Sequence, residues 1–273
     1  SPVDGLSISS FVSTNSSAIA TSGSAYALGY YDNSDDSWTN YTTSTAGGAG
    51  NLTLGKGYQM ATSSGATMAF TGTVPTSAQT QSIINNHNNG SGGRRFNLVA
   101  NPFPSYINLN DNNDANNNFL IVNIDSGVID SNFGYVYGWD ADGSGYTTYN
   151  NNANSPSDYI APGQGFFVAA ASASAADISF TTAMRTISGG DDFVSGRLAQ
   201  SDWSRFYLRL YEDDNFIAQT KFYFEEGLSL GLDPGYDAGA FSQNMDITSR
   251  LPENDQGIGF SINAMGLDRL DQE

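Results

Sequence analysis

The sequence Tyr-Ile-Ala-Pro-Gly-Gln-Gly-Phe-Phe-Val-Ala-Ala, at residues 159–170, contains the pattern that decides the fold. Pro162 and Gly163 are typical of a turn. Gly165 permits a backbone geometry or a close approach that a side chain would block. The aromatic and β-branched residues at 166–168 are typical of a buried strand. This stretch therefore predicts a turn that leads directly into the interior of a sheet.

An earlier version of the same stretch, Leu-Gly-Lys-Gly-Tyr-Gln-Met, occupies residues 54–60. Gly57 and Gly165 each lie 16 positions after a tyrosine, Tyr41 and Tyr149 (57 − 41 and 165 − 149). Four further matches follow the same order: residues 1–3 with 101–103, 26–32 with 135–140, 38–41 with 146–149, and 66–71 with 176–181. Five ordered matches indicate an internal duplication.

Within each copy, aromatic residues alternate with small or polar ones, as in half-buried antiparallel strands. We predict an all-β fold: two homologous antiparallel β-sandwich-like repeats followed by a partial β-sandwich or jelly-roll module. The third module has fewer predicted strands than the about seven of a complete sandwich. The predicted boundaries are 1–80 for the first repeat, with its N-terminal strand missing, 81–93 for a linker, 94–186 for the second repeat, 187–200 for a second linker and 201–273 for the incomplete third module.

Composition excludes several classes of protein. With 39% hydrophobic and 12% aromatic residues, the 273-residue chain can form substantial cores. The net charge of −18 argues against binding to nucleic acid or to anionic membranes. The absence of cysteine excludes disulfides and thiolate metal sites. No apolar run approaches the about 20 residues that a membrane-spanning helix needs, so membrane insertion is not expected.

The residue inventory argues against an enzyme. His87 is the only histidine, and it lies in an Asn- and Gly-rich connection where nothing would hold its imidazole in a catalytic triad. Glycoside hydrolysis needs two carboxylates held across a cleft. Adjacent acids such as Glu225 and Glu226 point to opposite faces of a strand, which leaves only a pair assembled from distant positions. We predict no catalytic residues.

An acidic loop provides a candidate metal site. Asp140, Asp142 and Ser144 occupy positions 1, 3 and 5 of the loop, and a glycine occupies position 6, as at the start of an EF-hand-type Ca²⁺ loop. Position 12 is Asn151 instead of glutamate, and the flanking segments are predicted strands, so a helical EF-hand is rejected. Two alternatives remain: Ca²⁺ as a cofactor held between strands by these three residues, or a plain hairpin turn.

Recurring aromatic residues provide a candidate ligand site. Trp38, Tyr41, Trp139 and Tyr146 are the residue types that stack on sugars in carbohydrate-binding modules, which makes glycans candidate partners. Aromatic residues at repeated strand positions also serve as core residues and cross-strand pairs. The pattern by itself leaves both interpretations open.

Several motifs resemble the C-terminal portions of large secreted and cell-surface proteins of the Bacteroidota that the type IX secretion system exports. They are Ser-Pro-Val at 1–3, Gly-Lys-Gly-Tyr at 55–58, Phe-Thr-Gly at 70–72, Asn-Leu-Val-Ala-Asn-Pro-Phe-Pro-Ser at 97–105, residues 160–168, Met-Arg at 184–185 and residues 224–238. The resemblance implies an extracellular or outer-surface location and the type IX machinery as a partner. It names no activity, because such modules accompany adhesins and hydrolases alike.

These observations predict a non-catalytic extracellular module of a type IX-secreted cell-surface protein, serving adhesion, display or spacing. The alternative is a carbohydrate-binding module appended to a secreted hydrolase. We further expect the chain to be a fragment whose open β-edges, at residues 3–8 and 257–265, pair with other protein chains.

Overall fold

The computed structural model describes residues 1–63, 65–87, 92–111, 117–140, 145–149, 158–187, 204–233, 237–240 and 247–269. These residues form five β-sheets and two short α-helices. The predicted fold is confirmed: it is all-β, with two antiparallel repeats and a further strand module. None of the helices among these residues is long and apolar enough to cross a lipid bilayer.

Copy one, residues 1–80, is built around β2. Its elements are α1 (Ile8–Thr14), β1 (Thr21–Ser22), β2 (Ala25–Asp32), β3 (Ser37–Thr42) and β4 (Gln59–Met60). Strands β1, β3 and β4 all pair antiparallel with β2. Helix α1 begins after Ser7, whose hydroxyl caps it by accepting a hydrogen bond from the Ser10 N–H. The copy-one core, which includes Leu6, Ile8, Phe11, Leu28 and Leu52, lies between the helix and the sheet.

Copy two, residues 94–186, contains the stretch quoted above as β11. Its elements are β6 (Phe96–Ala100), β7 (Tyr106–Asn108), α2 (Phe119–Asp125), β8 (Val136–Asp140), β9 (Gly145–Tyr149), β10 (Tyr159–Ile160), β11 (Gly165–Ala169), β12 (Ala176–Phe180) and β13 (Arg185–Thr186). The main sheet has the order β6-β11-β8-β9, and a smaller sheet has the order β10-β7-β13. Strand β5 (Gln79–Ile83), which precedes copy two, pairs with β12.

Strand β11 of the main sheet is buried on both faces. Along β11, Phe166 and Val168 point into the copy-two core, together with Val99, Phe119 and Phe180. The alternate residues Phe167 and Ala169 point the other way, into a third cluster. We call this cluster the junction core; its buried members are Tyr31, Phe96, Phe133, Tyr135, Tyr137, Phe167, Ala169 and Ala238. Tyr31 comes from copy one and Ala238 from the third module, so all three parts of the chain meet here.

The two copies share a polar clamp that joins the helix to the closing segment. In copy one, the Asn15 side chain donates to the Phe11 and Ala69 carbonyls and accepts from the Ala69 N–H at 2.7 Å. The Phe11 ring also lies 4.9 Å from the Phe70 ring. Because the amide satisfies both a helix carbonyl and an extended segment, it fixes their separation.

Copy two repeats the clamp bond for bond. The Asn123 side chain donates to the Phe119 and Ser179 carbonyls and accepts from the Ser179 N–H at 2.7 Å. The Phe119 and Phe180 rings are 5.2 Å apart. A Phe-x-x-x-Asn sequence, which lies within α2 in copy two and ends at the residue after α1 in copy one, is therefore the structural signature of the repeat.

The match between residues 1–3 and 101–103 is also confirmed. The Asn101 N–H donates to the Gln164 carbonyl at 3.0 Å. At the corresponding place, the Ser1 amino group donates to the Lys56 carbonyl at 3.2 Å. Gln164 and Lys56 each precede the matched glycine, so both ends of this contact are equivalent.

The hairpin register corrects one predicted match. Asp32 pairs with Ser37, and Asp140 pairs with Gly145, so the two aspartates are equivalent. Counting back four residues makes Leu28 equivalent to Val136, and both are fully buried. The sequence comparison aligned Gly29 with Gly138, and the hairpin pairing shows that this alignment is wrong by one position. The register of β2 shifts at a bulge between Ala25 and Gly29. This bulge explains why the residues before Leu28 are spaced differently from the residues before Val136.

The sequence match between residues 66–71 and 176–181 does not extend to their secondary structure. These residues have no strand structure, whereas their counterparts form β12. Strand β12 pairs with β5 over five residues, and no described strand pairs with 66–71. Consequently Phe180 is fully buried, but Phe70 is only partly buried against the copy-one core.

The paired glycines also differ from the prediction. The left-handed backbone is at Gly55 and Gly163, with φ near +73° and +71°, while Gly57 and Gly165 follow in extended conformation. A Cβ on Gly57 would lie 2.7 Å from the Val99 carbonyl oxygen. On Gly165 the same atom would be 3.7 Å away, which is ordinary contact. The close approach predicted at Gly165 is therefore at Gly57.

The third module is a four-stranded sheet. Its strands are β14 (Ser204–Glu212), β15 (Asn215–Glu225), β16 (Ala238–Gly239) and β17 (Phe260–Gly266), in the order β14-β15-β17-β16. Strands β14 and β15 form an antiparallel hairpin, and β15 pairs with β17 in parallel. The module contacts copy two closely, because the Tyr137 hydroxyl donates to the Gly239 carbonyl and a Cβ on Gly239 would overlap the Phe133 ring.

Both predicted edges have partners within the chain over part of their length. Strand β17 lies between β15, which pairs with residues 262–266, and β16, which pairs with Phe260 and Ile262. In the segment 3–8, Asp4 pairs with Thr73 and Ser7 pairs with Asn51. The recruitment of other chains by these edges stays a prediction.

Candidate binding cleft

The predicted Ca²⁺ loop lies largely outside the described residues. The backbone of Asp140 pairs with Gly145 to close the β8–β9 hairpin, but residues 141–144 and the Asp140 side chain are not described. Within the described ranges, no group of three or more His, Asp and Glu side chains is arranged to hold a metal ion. The Ca²⁺ site at Asp140, Asp142 and Ser144 stays a prediction.

The predicted aromatic site residues do not share one surface. Trp38 contacts the Phe167 ring edge-on at 5.9 Å and packs against the junction core. Tyr41 packs on the opposite face of the same sheet, against the copy-one core, with its ring 5.7 Å from Tyr30. Trp139, in copy two, is 53% exposed. The Tyr146 side chain lies outside the described residues.

A cleft of about 260 Å³ lies where the two copies meet. Strand β2 and the following turn form one wall, with Tyr30, Tyr31, Asp32 and Asn33. The other wall is formed by β5, by Ile84 directly after it, and by β6. Lys56 completes the lining. Since residues from both copies are required, the cleft exists only because the repeats are joined.

The joint beside the cleft is itself β-structure. The Gly57 N–H donates to the Leu98 carbonyl at 3.0 Å, and the Ala100 N–H donates to the Gly55 carbonyl at 2.8 Å. These two bonds flank the bridge between Lys56 and Val99. The Gly-Lys-Gly sequence of copy one therefore extends the main sheet of copy two at β6.

Lys56 is the cation of the cleft. Its ammonium lies 5.0 Å from the Tyr30 ring centre and 5.9 Å from the Tyr58 ring centre. No described carboxylate lies within 4.0 Å of this nitrogen. Burial lowers the pKa of Lys56 and outweighs the attraction of Asp32, which raises it. The ammonium is held by aromatic rings instead of by an ion pair.

Asp32 is the anion of the cleft. Its Oδ1 accepts the Ser34 N–H at 2.9 Å. Hydrogen bonds from the Ser34 side chain and backbone hold the pKa of Asp32 below its usual value, and the Lys56 charge adds a smaller effect in the same direction. The lining of the cleft therefore contains a carboxylate and an ammonium that attract each other.

Asparagine side chains make the rear of the cleft rigid. Asn33 donates to the Ile84 carbonyl and to the Asn97 side chain, and Asn86 donates to Asn33. Asn97 in turn donates to the Ile84 carbonyl and accepts from the Ile84 N–H. This lattice ties the β2 turn of copy one to β6 of copy two, so the two walls are held at a fixed separation.

The buried carboxylates of the third module have structural partners. Asp237 is fully buried, and its two oxygens accept the Ala264 N–H and the Asp233 N–H. Asp233 in turn accepts the Ser229 N–H. Burial raises the pKa of Asp237 to about 6. Both side chains are engaged in holding the backbone around β16 and β17.

Sequence reasoning did not single out Lys56 as a site residue. A signal was available, because the chain has only two lysines, Lys56 and Lys221, and copy two has Gln164 at the equivalent position. A charged residue that the second copy replaces by a neutral one is typical of a local role. The wall formed by residues 81–84 and 97–99 could not be identified in the same way, because it lies 25 to 43 residues from Lys56 in the sequence (81 − 56 and 99 − 56).

The residues that form both copies and most of the third module match one family model. Its description is "Domain of unknown function (DUF8693)", and the match covers residues 1–260. The chain belongs to this family. No curated protein and no solved structure matches the chain.

Proposed function

We propose that this DUF8693 chain is a non-catalytic extracellular module of a bacterial cell-surface protein, serving adhesion, display or spacing. The observation that carries the proposal is the junction core, in which aromatic residues from both copies and Ala238 of the third module form one buried cluster. A spacer has to hold its ends at a fixed separation, and a shared core does this better than flexible linkers.

The disposition of polar residues supports the same proposal. The polar residues with the most hydrogen bonds, such as Asn15, Asn33, Asn97 and Asn123, all bond to the backbone or to each other in structural roles. The net charge of −18 suits a highly soluble, exposed protein. The resemblance to type IX-secreted proteins supplies the proposed export route.

Whole-cell labelling tests the location. Antibodies raised against the folded chain are applied to intact cells of the bacterium that encodes it, and to an isogenic strain without a functional type IX translocon. We expect surface labelling of the first strain, and labelling of the second only after lysis. Labelling that requires lysis in both strains would contradict an extracellular module, and equal surface labelling of both would contradict the export route alone.

A further inference from the structure

We propose that the cleft between the copies binds one uncharged pyranose residue of a glycan, through the Lys56 ammonium and the Asp32 carboxylate. A display or spacing module needs no ligand, so this inference goes beyond the proposed function. Its failure would leave that function standing.

The donor side of the site is Lys56. An ammonium carries three N–H donors, and the described residues offer it aromatic faces without a carboxylate inside 4.0 Å. It lines the cleft, so its donors can reach a bound molecule. Hydroxyl oxygens of a sugar are suitable acceptors, and charge-assisted hydrogen bonds to them are stronger than neutral ones.

The acceptor side is Asp32. A carboxylate offers about four lone-pair sites, and the Ser34 contacts occupy only part of that capacity. Adjacent hydroxyls on a pyranose ring can donate to Asp32 and accept from Lys56 at the same time. A site with one hydrogen-bond acceptor and one hydrogen-bond donor favours a ligand whose groups can both donate and accept hydrogen bonds.

Charge selects an uncharged ligand. Lys56 and Asp32 balance each other within the cleft, and the rest of the chain is strongly acidic. A carboxylate on the ligand would be attracted by Lys56 but repelled by Asp32, and an ammonium would be attracted by Asp32 but repelled by Lys56. A single charge therefore gains from one group and loses to the other, whereas a hydroxyl gains from both.

Size selects a single ring. Sites for drug-sized ligands occupy about 300–1,000 Å³, and this cleft is smaller, at about 260 Å³. The Tyr30 ring provides an apolar wall, and Gln81 and Ser82 add polar groups on the β5 side. A terminal or branching sugar residue fits these dimensions better than an extended chain does.

Protein-observed NMR tests the site. Methyl β-glucopyranoside and methyl β-galactopyranoside are titrated separately into the ¹⁵N-labelled full chain. We expect at least one to give saturable shifts at residues 30–33, 81–84 and 97–99, with a dissociation constant in the millimolar range. Lys56→Met keeps an aliphatic stem beside Tyr30 and removes the charge, and Asp32→Asn removes the anion at a partly exposed position. Each should weaken binding about tenfold.

Lys221→Met is the matched control, because Lys221 is the only other lysine and lies on β15 of the third module. It should leave the shifts unchanged, and the spectra of all variants report whether they are folded. Saturable binding that Lys56→Met and Asp32→Asn weaken supports the proposal. Absence of shifts with both glycosides, equal binding by all variants, or tighter binding of glucuronate or glycine than of either glycoside would overturn it.

Discussion

Copies one and two contain the same clamp, but they differ in whether a strand pairs with the segment that the clamp holds. In each, an asparagine within or directly after a short helix makes the same three hydrogen bonds, and a phenylalanine of the helix lies against a phenylalanine of the closing segment. In copy two, β5 pairs with that segment and Phe180 is fully buried. In copy one, no described strand does so, and Phe70 is partly buried. The comparison indicates that the polar clamp sets the geometry, while the added strand sets the burial.

Truncating the two stacked phenylalanines should give the largest difference between the copies. Phe180→Ala removes a fully buried ring and should lower the free energy of unfolding by about 3–5 kcal/mol. Phe70→Ala removes a ring that already contacts solvent and should cost roughly half as much. Urea denaturation of both variants measures the difference. Equal losses would show that β5 does not distinguish the copies.

The matched glycines provide a second, smaller contrast. Gly57→Ala forces a Cβ against the Val99 carbonyl at 2.7 Å and should destabilise the chain by about 1–3 kcal/mol. Gly165→Ala meets the same oxygen at 3.7 Å. It should be neutral or stabilise by up to about 0.5–1 kcal/mol, because alanine loses less conformational freedom than glycine. Denaturation midpoints check both. A larger loss from Gly165→Ala would mean that the joint between the copies is not the tighter contact.

A partly buried acid distinguishes the pH dependence of the two copies. Asp158 of copy two is equivalent to Gly50 of copy one. The Leu109 N–H donates to the Asp158 carbonyl in copy two, and the Ile8 N–H donates to the Gly50 carbonyl at the same place in copy one. Burial raises the pKa of Asp158, opposed in part by its hydrogen bond from Asn110. The folded state therefore binds this proton more tightly than the unfolded state, and the stability from Asp158 falls as pH rises above its ordinary pKa of 3.8.

Asp158→Asn should remove this pH dependence while keeping an acceptor for Asn110. Melting temperatures of wild type and variant between pH 3.5 and 7 should therefore converge at low pH and separate at neutral pH, with the variant relatively more stable there. Asp237 contributes equally to both proteins, so it cancels in the difference. Parallel curves would contradict a raised pKa at Asp158.

Local patterns predicted the strands well. The Gly-Phe-Phe-Val sequence of β11 and the alternation along β14 are each complete within a few residues. The duplication was also predictable, because spacing between glycines and aromatics survives divergence. The helices were not predicted: each has only seven residues, and α2 follows an Asp- and Asn-rich stretch. The Phe-x-x-x-Asn sequence repeated at Phe11 and Phe119 was the available signal.

The candidate site was less predictable than the fold. Trp38 and Tyr41 lie three residues apart, so a strand places them on opposite faces, and only the structure shows which core each contacts. Phe70 is only partly buried because β5 pairs with β12 instead of with the segment that contains Phe70. That pairing joins segments far apart in the sequence, so local patterns do not reveal it. The cleft likewise depends on the pairing of Lys56 with Val99 across 43 residues (99 − 56).

Hydrogen exchange at two amides tests the shared clamp most directly. The Ala69 and Ser179 N–H groups each donate to an asparagine side-chain oxygen at 2.7 Å, although Ser179 lies in β12 and Ala69 lies outside any strand. Because both amides donate to the clamp asparagine, both should be protected from exchange, and the Ala69 amide should be the less protected of the two because no described strand pairs with its segment. Exchange of the Ala69 amide as fast as an unprotected amide would contradict the account.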